Sequence, residues 1–316
     1  MTARAAVFLL FVDGLGLGES DPQANPIAHP DLVWLTRVAG RPLARGEWMP
    51  AVDYHVSLAG RPIPASLAAL DAGLGVGGLP QSATGQTTLF TGVNAAALVG
   101  GHRNAYPTGR LKELLNSQSM FRRAAEAGRK VTFVNAFTPE YFAMVEQGKL
   151  RHSATTLAVL AAGVRLRDFE DLRRGEAVYQ DITNRALQAR GYDLPEADPY
   201  RAGQTAARIA AGHDLTLFEY FQTDRAGHGR DAADIQRVLR VLDSFLGGLV
   251  SDTDLDHRLL ILASDHGNIE DTASRTHTAN PVPALFLGAA AHETASGLRS
   301  LTQVAPAVLA CLGVAA

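Results

Sequence analysis

A single cysteine, Cys311, stands in the 316 residues. That count excludes an intrachain disulfide and any metal site built on several thiolates. Inside its apolar C-terminal run, Cys311 reads as a small buried hydrophobe. Lysine is nearly as scarce: Lys112, Lys130 and Lys149 are the whole set, and arginine carries the rest of the positive charge. An anionic substrate group would then be held by arginine or by metal. There is no polybasic stretch, and 29 basic residues against 32 acidic ones leave a net charge of -3. Nucleic acid and anionic membrane surfaces are therefore not expected as main partners. No apolar run is long enough to span a bilayer. Met1 to Val12 has one basic residue and a short apolar run, without the features of a signal peptide. A cytoplasmic protein is expected. Nothing in the sequence specifies an oligomeric state.

What is present is the composition of an ordinary soluble globular protein, 47% apolar and 19% charged. The length allows one or two domains with a large core. Apolar runs at Val7–Val12, Lys130–Asn135, Leu215–Tyr220, Leu259–Ala263 and Ala284–Leu287 read as buried strands. Ser82–Thr91, Ser119–Gly128, Arg201–Ala211 and Asp231–Val250 read as helices. The last of these places Ile235, Val238, Leu239, Leu242, Phe245 and Leu249 on one face. Asp31 is a candidate cap for a helix starting near Leu32, and Ala65–Asp71 reads as a further helix. Strands alternating with helices predict an α/β fold with a mainly parallel central sheet and helices on both faces. Residues 1–140 and 201–316 form the expected core. Charge is denser over 141–200, which reads as a small inserted cap.

The informative feature is where the strands end. Asp13, Asp224 and Asp265 each follow an apolar run. His266 adjoins Asp265, His228 follows Asp224 four residues on, and His277 lies one loop beyond His266. Ligands of an open α/β sheet belong at the carboxyl ends of its strands. Taken singly, such an Asp is more often a loop cap and such a His more often a polar side chain facing water. Taken together, three Asp and three His suit two divalent cations bound through oxygen and nitrogen, Zn²⁺ or Mn²⁺. Two cations close together can clamp the attacking and leaving oxygens of a displacement at phosphorus. A nucleophile is sought in Ser82-Ala83-Thr84-Gly85-Gln86, at the start of a predicted helix, where the field favours an incoming phosphate. By chemistry alone Ser82 and Thr84 compete, and Ser82 could serve only as an N-cap.

These segments resemble the alkaline phosphatase superfamily, with the closest likeness to cofactor-independent phosphoglycerate mutase and phosphopentomutase. Asp13-Gly14-Leu15-Gly16 with Asn25-Pro26 looks like the first metal loop of that family, and Ser82 to Gln86 like its nucleophile segment. Asp224 to His228 is similar to the Asp-x-x-Gly-His element. Asp265 to Asn268 is similar to the Asp-His-Gly-Asn element, and His277-Thr278 to the closing histidine motif. The resemblance implies Ser82 as nucleophile. It implies one metal on Asp13, Ser82, Asp265 and His266, and another on Asp224, His228 and His277. The stretch Phe90 to Asn104 is loosely similar to nucleotide pyrophosphatase/phosphodiesterases, which makes Asn104 a candidate holder of a phosphoryl oxygen.

The mutases carry a large inserted domain that grips the substrate, whereas the segment here between Ser82 and Asp224 is short. A short cap would leave a phosphoserine open to water. The expected activity is thus a two-metal phosphoesterase acting on a small phosphorylated substrate. A mutase-like transferase is the alternative, and a degenerate binding module on the same fold is a reading of another class. Neither cysteine nor serine stands in a formylglycine-type context, which disfavours sulfatase chemistry.

Overall fold

The apolar runs form the middle of one seven-stranded sheet. The structure, a computed structural model, describes residues 5–315. Its strands are β1 (Ala6–Val12), β2 (Ala51–Leu58), β3 (Arg61–Leu70), β4 (Val131–Phe133), β5 (Asn135–Ala136), β6 (Val178–Tyr179), β7 (Leu215–Tyr220), β8 (Arg258–Ala263) and β9 (Val282–Gly288). The order across the main sheet is β2-β3-β9-β8-β1-β7-β4, while β5 pairs with β6 alone.

β1 is central and parallel to both β7 and β8, and β4 is parallel to β7. The other half of the sheet, β8–β9–β3–β2, is antiparallel throughout. The sheet is therefore mixed, where a mainly parallel one was expected. The connections explain this. A parallel return needs a long crossover, usually a helix. β2 and β3 are joined through Ala59-Gly60 alone, and no helix lies between β8 and β9.

The segment expected to be a helix over Ala65–Asp71 is instead the second half of β3. Its alanines favour a helix by propensity, but it is paired on both sides and buried, and tertiary context overrides propensity. Pro62 and Pro64 lie where β3 has only β2 beside it, since pairing with β9 begins at Ala65. A missing N–H is tolerated there.

Alternate residues of β1 face opposite layers. Phe8, Leu10 and Val12 pack into one core with Leu239, Leu242 and Phe245 of the helix Ala232–Asp252. Val7, Leu9 and Phe11 pack into a second core with Leu89 and Phe90 of the helix Ser82–Thr91. A strand covered on both faces must be apolar at every position, which is why these runs do not alternate. All six predicted apolar positions of the long helix are buried.

Asp31 does not cap the first helix, Val33–Ala39. Its N-cap is Leu32, which supplies no side-chain bond. The cap comes from Asp243 on the long helix, whose Oδ1 accepts from Leu35 N at 2.7 Å. Burial raises the Asp243 pKa, and the N–H groups of Leu35, Trp34 and Val33 pull against that rise. Asp243→Ala is expected to cost about 1–2 kcal/mol, as for other lost caps. A urea midpoint equal to wild type would show that the bond carries no stability.

Residues 139–197 lie beyond β4 and carry short elements. The helix Ala154–Leu160 buries Ala154, Ala158 and Val159 in the same core as the sheet. Ala136, Ala177, Tyr179 and Leu187 form a small apolar cluster of their own. Among the described residues, no helix is long and apolar enough to cross a membrane.

Candidate metal centre

β1 and β8 run parallel as neighbours, so their carboxyl ends deliver Asp13 and Asp265 to one place. Asp224 arrives differently. It is not at the end of β7 but in the first turn of the following helix, Gln222–Gly229. Four residues separate it from His228, so both lie on one helix face. Their side chains meet at 3.4 Å, His228 Nε2 to Asp224 Oδ2. Gly14 lets this helix approach: it has φ +70°, and a Cβ there would stand 2.8 Å from the Asp224 side chain.

All seven predicted ligands are brought together. His266 Nε2 lies 3.0 Å from Ser82 Oγ, 3.2 Å from Asp13 Oδ1 and 3.5 Å from Asp265 Oδ2. His277 Nε2 lies 3.1 Å from His228 Nε2 and 3.5 Å from Asp224 Oδ1. The rings of His266 and His277 stack with centroids 3.8 Å apart. Two sets of ligand atoms lie within 4.8 Å of one another: Asp13, Asp265 and His266, and Asp224, His266 and His277. His266 falls in both sets, so distance alone does not divide the cluster in the way the family resemblance implies.

The donors fit divalent cations. Asp13 Oδ1 and Asp265 Oδ2 are buried and make no well-formed hydrogen bond, with the His266 ring nitrogen near them. Buried unpaired carboxylate oxygens are costly unless a cation meets them. Burial, then the Asp13 carboxylate, pushes the Asp265 pKa well above its usual range. Burial lowers that of His266, but Asp265 and Asp13 outweigh it and raise it to about 10. His277 moves the other way, lowered by burial and then by His266. Its Nδ1 lies 2.9 Å from Pro80 O, which holds the Nδ1–H tautomer and leaves Nε2 free as a ligand.

Ser82 is the first residue of its helix, not the cap. The N-cap is Gln81. Thr84, its competitor by chemistry, is fully buried and occupied: its Oγ1 donates to Gln81 O at 3.1 Å and accepts from Arg103 N at 3.2 Å. Gly85 sets the distance of this helix from β8, because a Cβ there would meet Asp265 O at 2.8 Å. Asn104 lines the same cleft as Ser82, Asp13 and Asp224. Its Oδ1 accepts from the N–H of Ala105 at 2.6 Å.

Further residues support the cluster, and two of them, Glu270 and Glu219, are absent from the sequence motifs. Glu270 is buried and accepts from Gly16 N (3.0 Å), Asn268 N (2.7 Å), Asn280 Nδ2 (3.0 Å) and the Thr278 hydroxyl. It thereby ties the loops that carry Asp13, His266 and His277. Asn268 Nδ2 donates to Asp224 Oδ1 at 2.7 Å, and Gln86 Nε2 to Asp13 Oδ2 at 3.3 Å. Glu219, the one charged residue within the apolar run of β7, also lines the cleft and accepts from Thr155 Oγ1 at 2.7 Å. Its sequence signal was a carboxylate inside a buried strand.

Burial raises the Glu219 pKa to about 8, with Thr155 opposing and Asp13 adding to the shift. A folded-state pKa above the ordinary 4.5 means that the folded metal-free protein holds this proton more tightly than the unfolded chain. The associated stability is complete below about pH 4.5 and is lost as pH rises through about 8. Glu219→Gln should therefore flatten the fall in stability between these limits. Urea midpoints at pH 5 and pH 8 check this, and an equal fall in both proteins would refute it.

Comparison with known proteins agrees with the motifs. The family model described as Metalloenzyme superfamily matches residues 188–316. The 2,3-bisphosphoglycerate-independent phosphoglycerate mutase of Methylobacillus flagellatus is 29% identical over 133 residues, covering 39% of this chain and 26% of that protein. The enzyme of the same name from Dinoroseobacter shibae is 32% identical over 127 residues, covering 37% and 25%. The matches thus span about a quarter of the length of these relatives. A solved structure of a protein from Pyrococcus horikoshii covers 100% of this chain and 99% of its own, with TM-score 0.57 and 12% identity. An alkaline phosphatase from an Antarctic bacterium covers 100% of both chains, with TM-score 0.53 and 12% identity. At such identities the structures show the fold, which is alkaline phosphatase-like. The chain is thus similar to a metalloenzyme family model over residues 188–316, to phosphoglycerate mutases over part of their length, and to alkaline phosphatases in fold.

Proposed function

We propose that the protein is a two-metal phosphoesterase that works through a phosphoserine on Ser82. The observation that carries this reading is the placement of the Ser82 hydroxyl, 3.0 Å from His266 Nε2, which also faces the buried Asp13 Oδ1 and Asp265 Oδ2. Asp13, Ser82, Asp265 and His266 would hold one divalent cation and Asp224, His228 and His277 the other, with Zn²⁺ or Mn²⁺ suited to these donors. When bound, such cations lower the pKa of coordinated hydroxyl groups and offset charge developing on phosphoryl oxygens.

The chain's own residues do the rest. Ser82 Oγ attacks phosphorus and gives up its proton, the ester P–O bond breaks as the new Ser82 oxygen–phosphorus bond forms, and the leaving oxygen takes up a proton to depart as the alcohol. The start of the helix Ser82–Thr91 offers positive potential to the phosphate. Asn104, on the wall of the cleft, would turn its amide toward a phosphoryl oxygen. Gln86 and Asn268 keep Asp13 and Asp224 oriented. Water then attacks the phosphoserine, releasing phosphate and restoring the hydroxyl. Residues 141–200 would act as a small cap that leaves this second step open to water. A small phosphorylated molecule is the substrate in this reading, and the cytoplasm the compartment.

Mutase-like transfer is a second reading, favoured by the names of the relatives that match residues of this chain. One assay separates the two. The metal-loaded protein is offered a phosphomonoester, a phosphodiester, a sulfate ester and 3-phosphoglycerate. Phosphate release from an ester is the expected result. Isomerisation of 3-phosphoglycerate without phosphate release would overturn the hydrolase reading. No turnover together with no bound metal would point to a binding module.

A further inference from the structure

The cleft above Ser82 is much larger than a phosphate group, about 550 Å³. Ligand pockets of this volume accept whole organic molecules. Its floor holds Asp13, Ser82 and Asp224, and its walls carry Tyr106, Phe137, Tyr141 and Met144. Two of these are exposed, Tyr106 at 43% and Met144 at 41%. Large apolar side chains left in water are individually unremarkable. Here two stand on one cleft from separate parts of the chain. Tyr106 lies in the loop after the helix Ala95–Val99, and Met144 in the helix Pro139–Glu146. Phe137 and Tyr141 lie beside them with ring centroids 4.4 Å apart, and Tyr141 is held by a 2.7 Å contact from its hydroxyl to His152 Nδ1.

The charged residues of the wall are arranged differently. Glu140 is taken up by Arg190 and by the Tyr192 hydroxyl. Arg151 and Arg225 also line the cleft, Arg225 bonded to Gln222, while Tyr106, Phe137, Tyr141 and Met144 form an apolar and aromatic stretch of its wall. A small polar ester such as a glycerate phosphate could meet the arginines but has no apolar part to place against that stretch. A flat apolar ring suits it, and aromatic and thioether groups are effective partners for one.

We infer that the substrate is a phosphate ester whose alcohol carries an aromatic ring, seated between Tyr106 and Met144. This rests on the phosphoryl-transfer reading above and goes beyond it by naming the leaving group's chemistry. Burial of a phenyl ring predicts a preference of roughly tenfold to a hundredfold over a methyl group.

The test uses the metal-loaded full chain and two inert probes, phenylphosphonate and methylphosphonate, with affinities measured by calorimetry. Wild type binds phenylphosphonate at least about tenfold more tightly. In the double variant Tyr106→Ala, Met144→Ala the ratio of the two affinities falls toward one. Equal affinities in wild type, with both probes bound, would overturn this inference and leave the phosphoryl site standing. A full preference retained in the double variant would place the ring elsewhere and likewise overturn it. Failure of both probes to bind would overturn the phosphoryl site itself, and this inference with it.

Discussion

Ser82→Ala is expected to abolish phosphoester turnover, by a factor of about a thousand or more, in a protein that still folds and binds metal. A thousandfold corresponds to about 4 kcal/mol of lost transition-state stabilisation. The size follows from position: the only other candidate hydroxyl in the segment, that of Thr84, is turned away and bonded to Gln81 and Arg103. It cannot replace Ser82 without breaking both bonds. The fold should survive because the lost hydroxyl is hydrogen-bonded to His266, which keeps Asp13 at 3.2 Å. Denaturation midpoints close to wild type are the control. Acid quenching of a turning-over sample should leave phosphate on the peptide that contains Ser82. Full activity in the alanine variant would mean that water attacks phosphorus directly, and the phosphoserine would be lost as an intermediate.

Glu270→Ala should produce the largest loss of stability of the changes considered. The carboxylate is buried and accepts from two backbone N–H groups and two side chains. Each buried donor left without a partner costs about 1–3 kcal/mol. Water and local relaxation will satisfy some of them, so a total of about 3–5 kcal/mol is expected. It ties the loop after β1 to both ends of the β8–β9 connection, which present Asp13, His266 and His277, so metal affinity should fall with stability, by roughly tenfold to a hundredfold. Glu270→Gln keeps the shape but turns one acceptor oxygen into a donor facing donors. It should fall between alanine and wild type in both readouts. Chemical denaturation and metal titration of the three proteins check this. Wild-type stability and wild-type metal affinity in the alanine variant would show that the loops hold themselves.

Local features were the legible ones. β1 and β8 could be placed because continuous apolar runs must be buried on both faces. The long helix could be placed because its apolar residues recur at helical spacing, and all of them are buried. The start of the helix at Ser82 was read from small polar residues after Pro80, and it begins at that residue. The motif residues were legible as a set, since carboxylates and imidazoles next to buried strands have few structural uses.

What pairing and packing decide was not legible. β3 reads as a helix by composition and becomes a strand because β2 and β9 flank it. The cap of Val33–Ala39 comes from Asp243, over two hundred residues away, so Asp31 beside the helix could only mislead. Glu270 and Glu219 lay outside the motifs because a carboxylate's partners cannot be read from its neighbours in the chain.

By itself, then, the sequence determined which residues could ligate a cation and which segments would be buried, because residue chemistry and apolar periodicity are local properties. The tertiary structure decided what chemistry had left open between Ser82 and Thr84, turning Ser82 to the cluster, and brought the seven candidate ligands together from five segments. It also decided that Glu270 ties the loop after β1 to the β8–β9 connection. Each of these depends on which strands lie side by side, and strand order is set by the packing of the whole chain.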